Sequence, residues 1–151
     1  MSINLAPILL ITYNRPIHFR KTLLALSQNQ KAKDSTLFIS IDGPKNIYDE
    51  KSQEMILNQI DKAYEYFAEI HVLKNDTNKG LAKNVIDSVS EILSSHNKII
   101  VLEDDLITSR AFISFMNNAL DYYKNRKKVW HISGCSGTIN NINKKDEIFL
   151  S

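Results

Sequence analysis

Strand-like and helix-like segments alternate along the whole chain, and this order constrains the fold more than any single motif. Short apolar runs occur at residues 7–13 (PILLITY), 36–41 (TLFISI), 70–73, 98–102 (KIIVL) and 128–132 (KVWHI). Between them, apolar residues recur at three-to-four spacing, the signature of a helix with one buried stripe. The predicted helices cover 16–29 (Phe19, Leu23, Leu26), 49–67 (Met55, Ile56, Ile60, Ala63, Phe67), 80–95 (Leu81, Val85, Val89, Leu93) and 109–123 (Phe112, Phe115, Met116, Ala119). Parallel neighbours need crossover helices, so this order predicts an α/β chain with a mostly parallel sheet covered on both faces.

With 151 residues, 43% of them hydrophobic, the chain suits one globular domain spanning 1–151. A net charge of +2 gives no global field for nucleic acid or a membrane surface, so any anion site must be local. The single cysteine, Cys135, cannot form an internal disulfide, and the start lacks a basic leader with a cleavage site. A cytoplasmic protein without a transmembrane segment is expected. The closing stretch, residues 140–151, turns apolar only at its last few positions, which reads as the start of another element in a longer chain.

In parallel sheets, ligands bind beyond the carboxyl ends of the strands. Those ends carry Thr12, Tyr13, Asn14 and Arg15; Asp42 and Gly43; residues 74–80; Glu103, Asp104 and Asp105; and the small-residue loop with Ser133, Gly134, Ser136 and Gly137. Three adjacent acids repel one another, and a hard divalent cation, manganese or magnesium, would relieve that; Asp104 and Asp105 could equally cap the next turn. Asp42 could accept hydrogen bonds from a base or ribose, or belong to an ordinary Asp-Gly-Pro turn. Arg15, fixed by Pro16, can grip phosphate with its fork or remain a solvated surface group. The loop before the third helix, with Lys83 and Asn84 in its first turns, offers an anion site or a plain helix start capped by Asn78. His131, beside Trp130, reads as structural.

The segments PILLITYNRP, ISIDGP, NKGLAKNVI and IIVLEDDLITSRAFISFMNNALDYY together resemble the nucleotide-binding region of the inverting N-acetylglucosaminyltransferases of the N-glycan pathway and bacterial sugar transferases like them. The resemblance spans nearly the whole chain. It implies a GT-A type, Rossmann-like sandwich that binds a nucleotide diphosphate sugar, often uridine-linked, with manganese, for transfer to a saccharide or other hydroxyl acceptor. It further implies Asp105 as the metal ligand and Asp104 beside the donor's ribose or sugar, with Glu103 counted among the nucleotide-sugar-binding residues. Thr12, Tyr13, Asn14 and Arg15 then line the nucleotide-sugar site, with Arg15 near the diphosphate, Asp42 reading the base and Lys83 as a donor-side cation. Relatives continue past the fifth strand into an acceptor half with the catalytic base, so that base is expected beyond Ser151. The chain is therefore expected to be truncated before the acceptor half and to transfer sugar poorly by itself.

Two other classes share parts of this pattern. A receiver-type phosphoacceptor domain also places an acidic pair after an apolar strand, but after its first strand rather than its fourth. A noncatalytic nucleotide-binding module would look the same in sequence.

Overall fold

The computed structural model describes residues 5–134. Its strands are β1 (Ile8–Thr12), β2 (Thr36–Ile41), β3 (Glu69–Lys74) and β4 (Ile100–Glu103), and its helices are α1 (Pro16–Ser27), α2 (Ile47–Asp61), α3 (Leu81–Leu93) and α4 (Phe112–Tyr123). The four strands form one sheet in the order β3-β2-β1-β4, and every pairing is parallel. This is the expected Rossmann-like α/β arrangement.

β1 lies in the middle, and all five of its residues are buried. The two-residue period of a strand sends alternate side chains to opposite faces. Ile8 and Leu10 join Phe19, Leu23 and Leu26 of α1, Ile56 and Ile60 of α2, and Ile113 and Met116 of α4 in the main core. Leu9 and Ile11 meet Ile92 of α3, with Val85 and Val89 packed at the margin. Three helices thus cover one face and α3 covers the other. Each large aliphatic side chain withdrawn in this way contributes about 1.5–3 kcal/mol.

Helix ends follow their local chemistry. Pro16 stands at the first position of α1, where its missing N–H costs nothing. Asn46 caps α2 through the amides of Tyr48 and Asp49, at 2.9 and 3.1 Å. Asn29 accepts from the Ile113 amide at 3.0 Å and so holds the start of α4.

Several expectations are corrected. Residues 128–132 join no ladder: Trp130 is 93% exposed, and only Ile132 packs on the main core. A tryptophan pointing into solvent supplies no cross-strand contact to hold a register. The second helix stops at Asp61 and gives way to a 3-10 turn, Tyr64–Tyr66, and its Met55 is exposed. On α3, Leu81 and Leu93 are exposed while Asn84, Ser88 and Ile92 are buried. On α4, Phe115 is exposed, and Asn117 is buried by bonding the Ala6 amide at 2.7 Å. Residues 135–151, including Cys135, Ser136, Gly137 and the closing apolar run that ends at Ser151, lie outside the described residues. So does the catalytic base expected beyond Ser151. None of the described helices is long and apolar enough to cross a membrane.

Candidate nucleotide-sugar site

The strand order sets the place of the site. From β1 the chain moves outward to β2 and β3, then returns to β4 on the other side of β1, so a crevice opens between the carboxyl ends of β1 and β4. A cleft of about 360 Å³ lies there, walled by Thr12 to Arg15 from β1, Glu103 and Asp104 from β4, Asp42 and Lys45 from β2, and Asn78, Gly80, Leu81 and Asn84 from the approach to α3.

Asp104 and Arg15 bridge the crevice. Asp104 is only 1% exposed; one of its carboxylate oxygens accepts from Thr12 Oγ1 at 2.6 Å and the other from Arg15 Nη2. Its carbonyl accepts from Thr22 Oγ1 of α1 at 2.8 Å, which fixes the backbone of the acidic turn as well. Arg15 Nη1 reaches Asp105 Oδ2 at 3.3 Å; the Asp105 side chain is 43% exposed and, like Lys83, is not part of the cleft lining, but it is joined to that lining through Arg15. Repulsion within the acidic triplet is therefore relieved in part by a guanidinium from the same chain. Glu103 stands exposed at the cleft wall. No group of three or more His, Cys, Asp or Glu side chains gathers in metal-ligand fashion among the described residues.

Asp42 organises the opposite wall. Its carboxylate is buried and accepts five hydrogen bonds: from the amides of Gly43, Lys79 and Gly80, each at 2.9 Å, and from the side chains of Asn75 at 3.3 Å and Asn78 at 3.0 Å. An ionised carboxylate has about four lone-pair sites, so this one is saturated. It works as a clasp on the loop between β3 and α3. Asn78, the expected cap of α3, instead donates to Asp42 and to the Gly43 carbonyl, and α3 begins at Gly80 without a side-chain cap.

Asn75 also donates to Asn84 Oδ1 at 2.7 Å, and Ser40 donates to the same oxygen at 3.0 Å. Because Asp42 can only accept, it fixes which atom of the Asn75 amide is nitrogen, and that in turn fixes the Asn84 amide. The Asn84 Nδ2 is left buried without a hydrogen-bond partner among the described residues, on a side chain that lines the cleft. Such a donor is costly to leave bare, and a ligand oxygen would satisfy it.

Tyr13 and Asn14 are held by a residue the sequence reading passed over. Asp49 accepts from Tyr13 Oη at 2.6 Å, Asn14 Nδ2 at 2.7 Å and the Lys45 amide at 3.0 Å. The available signal was Asn46 followed three residues later by an acid, the spacing of a reciprocal helix cap. Lys45 Nζ lies 5.9 Å from the centre of the Tyr13 ring, so the cation on this wall is Lys45. Lys83 is not: it pairs with Asp87 at 3.2 Å on the solvated side of α3 and stands outside the cleft lining.

Burial, and then the bond to Asp49, push the Tyr13 phenol up to about 12. The same bond, followed by that from Asn14, holds the Asp49 carboxyl below its ordinary value. The neutral phenol is favoured by folding, so its contribution is complete below the ordinary phenol value of about 10 and is lost as pH rises from there toward 12. That of Asp49 is present above about pH 4 and is lost as pH falls through its lowered value. In an alkaline titration, the Tyr13 phenol should ionise late, and Tyr13→Phe should remove that step. An unchanged titration in the variant would count against the Tyr13–Asp49 contact.

No family model matches the sequence, and no curated protein matches it. Among solved structures, the chain is similar to S. aureus TarS, with a TM-score of 0.59 at 14% identity; the match covers 78% of this chain and 20% of that one. A structure of S. aureus TarS 1-349 matches at the same score and identity, with 32% of its length covered. The chain thus spans a third or less of either neighbour, and what it shares with them is the fold.

Proposed function

We propose that this chain is the donor-binding domain of a GT-A type glycosyltransferase, taking a nucleotide diphosphate sugar, uridine-linked, for inverting transfer to a hydroxyl acceptor. The observation that carries the reading is the meeting of Arg15, Asp104 and Asp105 at the crevice between β1 and β4, where an open parallel sheet binds its ligand. The glycosyltransferase-like fold and the resemblance of the EDD segment support it.

The donor set suits manganese or magnesium. Asp104 is spent on Thr12 and Arg15, which leaves Asp105 and Glu103 as exposed hard-oxygen donors at the rim. Such ions take one or two protein carboxylates and fill their other positions with phosphate and water. Asp105 and Glu103 would hold the ion, which when bound would supply Lewis-acid neutralisation of the departing diphosphate.

The chain's own groups do the rest. The Arg15 fork binds phosphate oxygens, and buried Asp104 and Thr12 keep it aimed. The Tyr13 ring and Asn14 amide, steadied by Asp49, form the side wall for the nucleoside. Asn84 Nδ2 donates to a ligand oxygen. Asp42 holds the wall that carries Asn78, Gly80 and Asn84, and its saturation makes it a positioning residue for base recognition rather than a free acceptor. Inversion requires a carboxylate to take the acceptor's proton as its oxygen attacks the anomeric carbon. None of the described residues is assigned that part.

Calorimetry with UDP, with and without Mn2+, tests the reading. Wild-type protein should bind UDP at least tenfold more tightly with the metal, about 1.4 kcal/mol. Asp105→Ala should remove that metal-dependent gain and leave the fold intact, because the side chain is largely solvated. Metal-dependent binding that survives the substitution would refute the assignment.

A further inference from the structure

We propose that Arg15 is a specificity-determining residue: it makes the acidic corner take a divalent cation chiefly together with a diphosphate, and it holds off either ligand alone. The inference rests on the donor-site reading above and goes beyond it, because it concerns which ligands the free site refuses.

The two ends of the guanidinium contact are unequal. Nη2 is bonded to Asp104, a carboxylate buried to 1% exposure whose other oxygen is tied to Thr12 at 2.6 Å. This end is anchored. Nη1 meets Asp105 at 3.3 Å, and both side chains there are more than two-fifths exposed, 44% and 43%. An exposed ion pair of that kind is weak and exchangeable.

In the free protein, Asp105 is therefore occupied by Arg15, and Arg15 by Asp105. A cation arriving alone must displace a positive guanidinium and then sit beside it. A diphosphate arriving alone must detach Arg15 from Asp105 and then sit beside a bare carboxylate. When both arrive, the phosphate takes the Nη1 end of Arg15, one charge-assisted contact replacing another, and Asp105 is released to the cation. Each ligand thus relieves the obstacle to the other, and by linkage the effect is equal in both directions.

Direct attraction between metal and phosphate also couples the two ligands, so the decisive readings are those with one ligand. Arg15→Gln removes the competitor for Asp105, and Mn2+ alone, followed by the loss of the free-ion signal in electron paramagnetic resonance, should bind about fivefold more tightly than to wild type. Asp105→Asn releases Arg15, and UDP alone, measured by calorimetry without metal, should bind about fivefold more tightly. Thermal unfolding shows whether each variant is folded; Asp105→Asn leaves the anchored Asp104 contact in place and so tests the idea even if Arg15→Gln does not fold. Unchanged or weaker single-ligand binding in the folded variants would overturn the role of Arg15 while leaving the donor site standing. Failure of wild-type protein to bind UDP with Mn2+ together would overturn both.

Discussion

Asp42→Asn should lower stability by about 3–4 kcal/mol and the thermal midpoint by about 10 °C, as loss of two or more buried bonds in a chain of this size predicts. The substitution keeps the shape of the side chain and changes one acceptor oxygen into a donor. Whichever oxygen is replaced, the new NH2 faces at least two existing donors: Asn78 Nδ2 and the Gly80 amide at one position, or Asn75 Nδ2 and the Gly43 and Lys79 amides at the other. These groups are clustered and partly buried, so water replaces the lost acceptor poorly, and each unmet bond costs about 1–3 kcal/mol. The damage should be local first. Limited proteolysis is expected to cut within residues 75–80 before the rest of the chain opens, and UDP binding should fall because Asn78, Gly80 and Asn84 share that wall. Lys83→Ala, on the solvated side of α3, is the control and should stay within about 0.5 kcal/mol of wild type. A midpoint for Asp42→Asn within about 3 °C of wild type would show that the clasp carries little of the stability.

Most of the fold was legible because its signals are local and repeated. β1 reads as a strand buried on both faces, and it is; Phe19, Leu23 and Leu26 read as the inner stripe of α1, and they are. The failure on α3 has an identifiable cause. On α3 the apolar spacing indicates Leu81, Val85, Val89 and Leu93; Val85 and Val89 do pack on the core, but Leu81 and Leu93 are exposed and the fully buried line is Asn84, Ser88 and Ile92. Ser40 of β2 explains it: a hydroxyl at a central sheet position draws Asn84 and Ser88 inward, at 3.0 and 2.8 Å. Pattern reading assigns polar residues to solvent and cannot see that two of them satisfy a third across the interface. The absence of a fifth strand among the described residues has a simpler reason, since KVWHI carries β-forming residues but Trp130 is exposed to solvent rather than packed on the sheet.

The site was legible as a set of strand ends and less so as a set of roles. Arg15 and Asp104 were both singled out, and they meet. That the arginine would balance the triplet's charge depended on β1 and β4 becoming neighbours, a fact of topology that no local spacing encodes. Asp49 was missed because it lies inside a helix start, where an acid is ordinarily read as favourable to the helix dipole and nothing more. Lys83 stands out in the sequence because it sits in the first turn of a helix, whereas Lys45 carries no such local signal; in the fold Lys83 pairs with Asp87 on the solvated side of α3 and Lys45 lines the cleft.

Two glycines border the clasp, and they should differ in what an added methyl group costs. At Gly80 the backbone has φ +81° and ψ 155°, a region essentially reserved for glycine, but a β-carbon there would meet nothing within 4 Å. Gly80→Ala should therefore cost about 1–3 kcal/mol, through backbone strain alone. At Gly43 the obstacle is backbone packed on backbone: a β-carbon would overlap the Thr77 carbonyl and stand 2.6 Å from the Asn78 nitrogen. Main chain cannot rotate aside as a side-chain tip can, so relief requires residues 77–78 to move outward. That motion stretches the bonds from Lys79, Gly80 and Asn78 to Asp42, and from Asn78 to the Gly43 carbonyl at 2.9 Å. Gly43→Ala should accordingly combine overpacking of about 1–3 kcal/mol with the loss of at least one buried bond, for a total of about 4 kcal/mol. Because the same displacement breaks the clasp, the double variant with Asp42→Asn should fall well short of the sum of the two single effects, the mark of residues acting in one network. Denaturant unfolding of the four proteins measures this directly. Strict additivity within about 0.5 kcal/mol would mean that Gly43 and Asp42 support the cleft wall independently, and the clasp would have to be redrawn without the Gly43 contact.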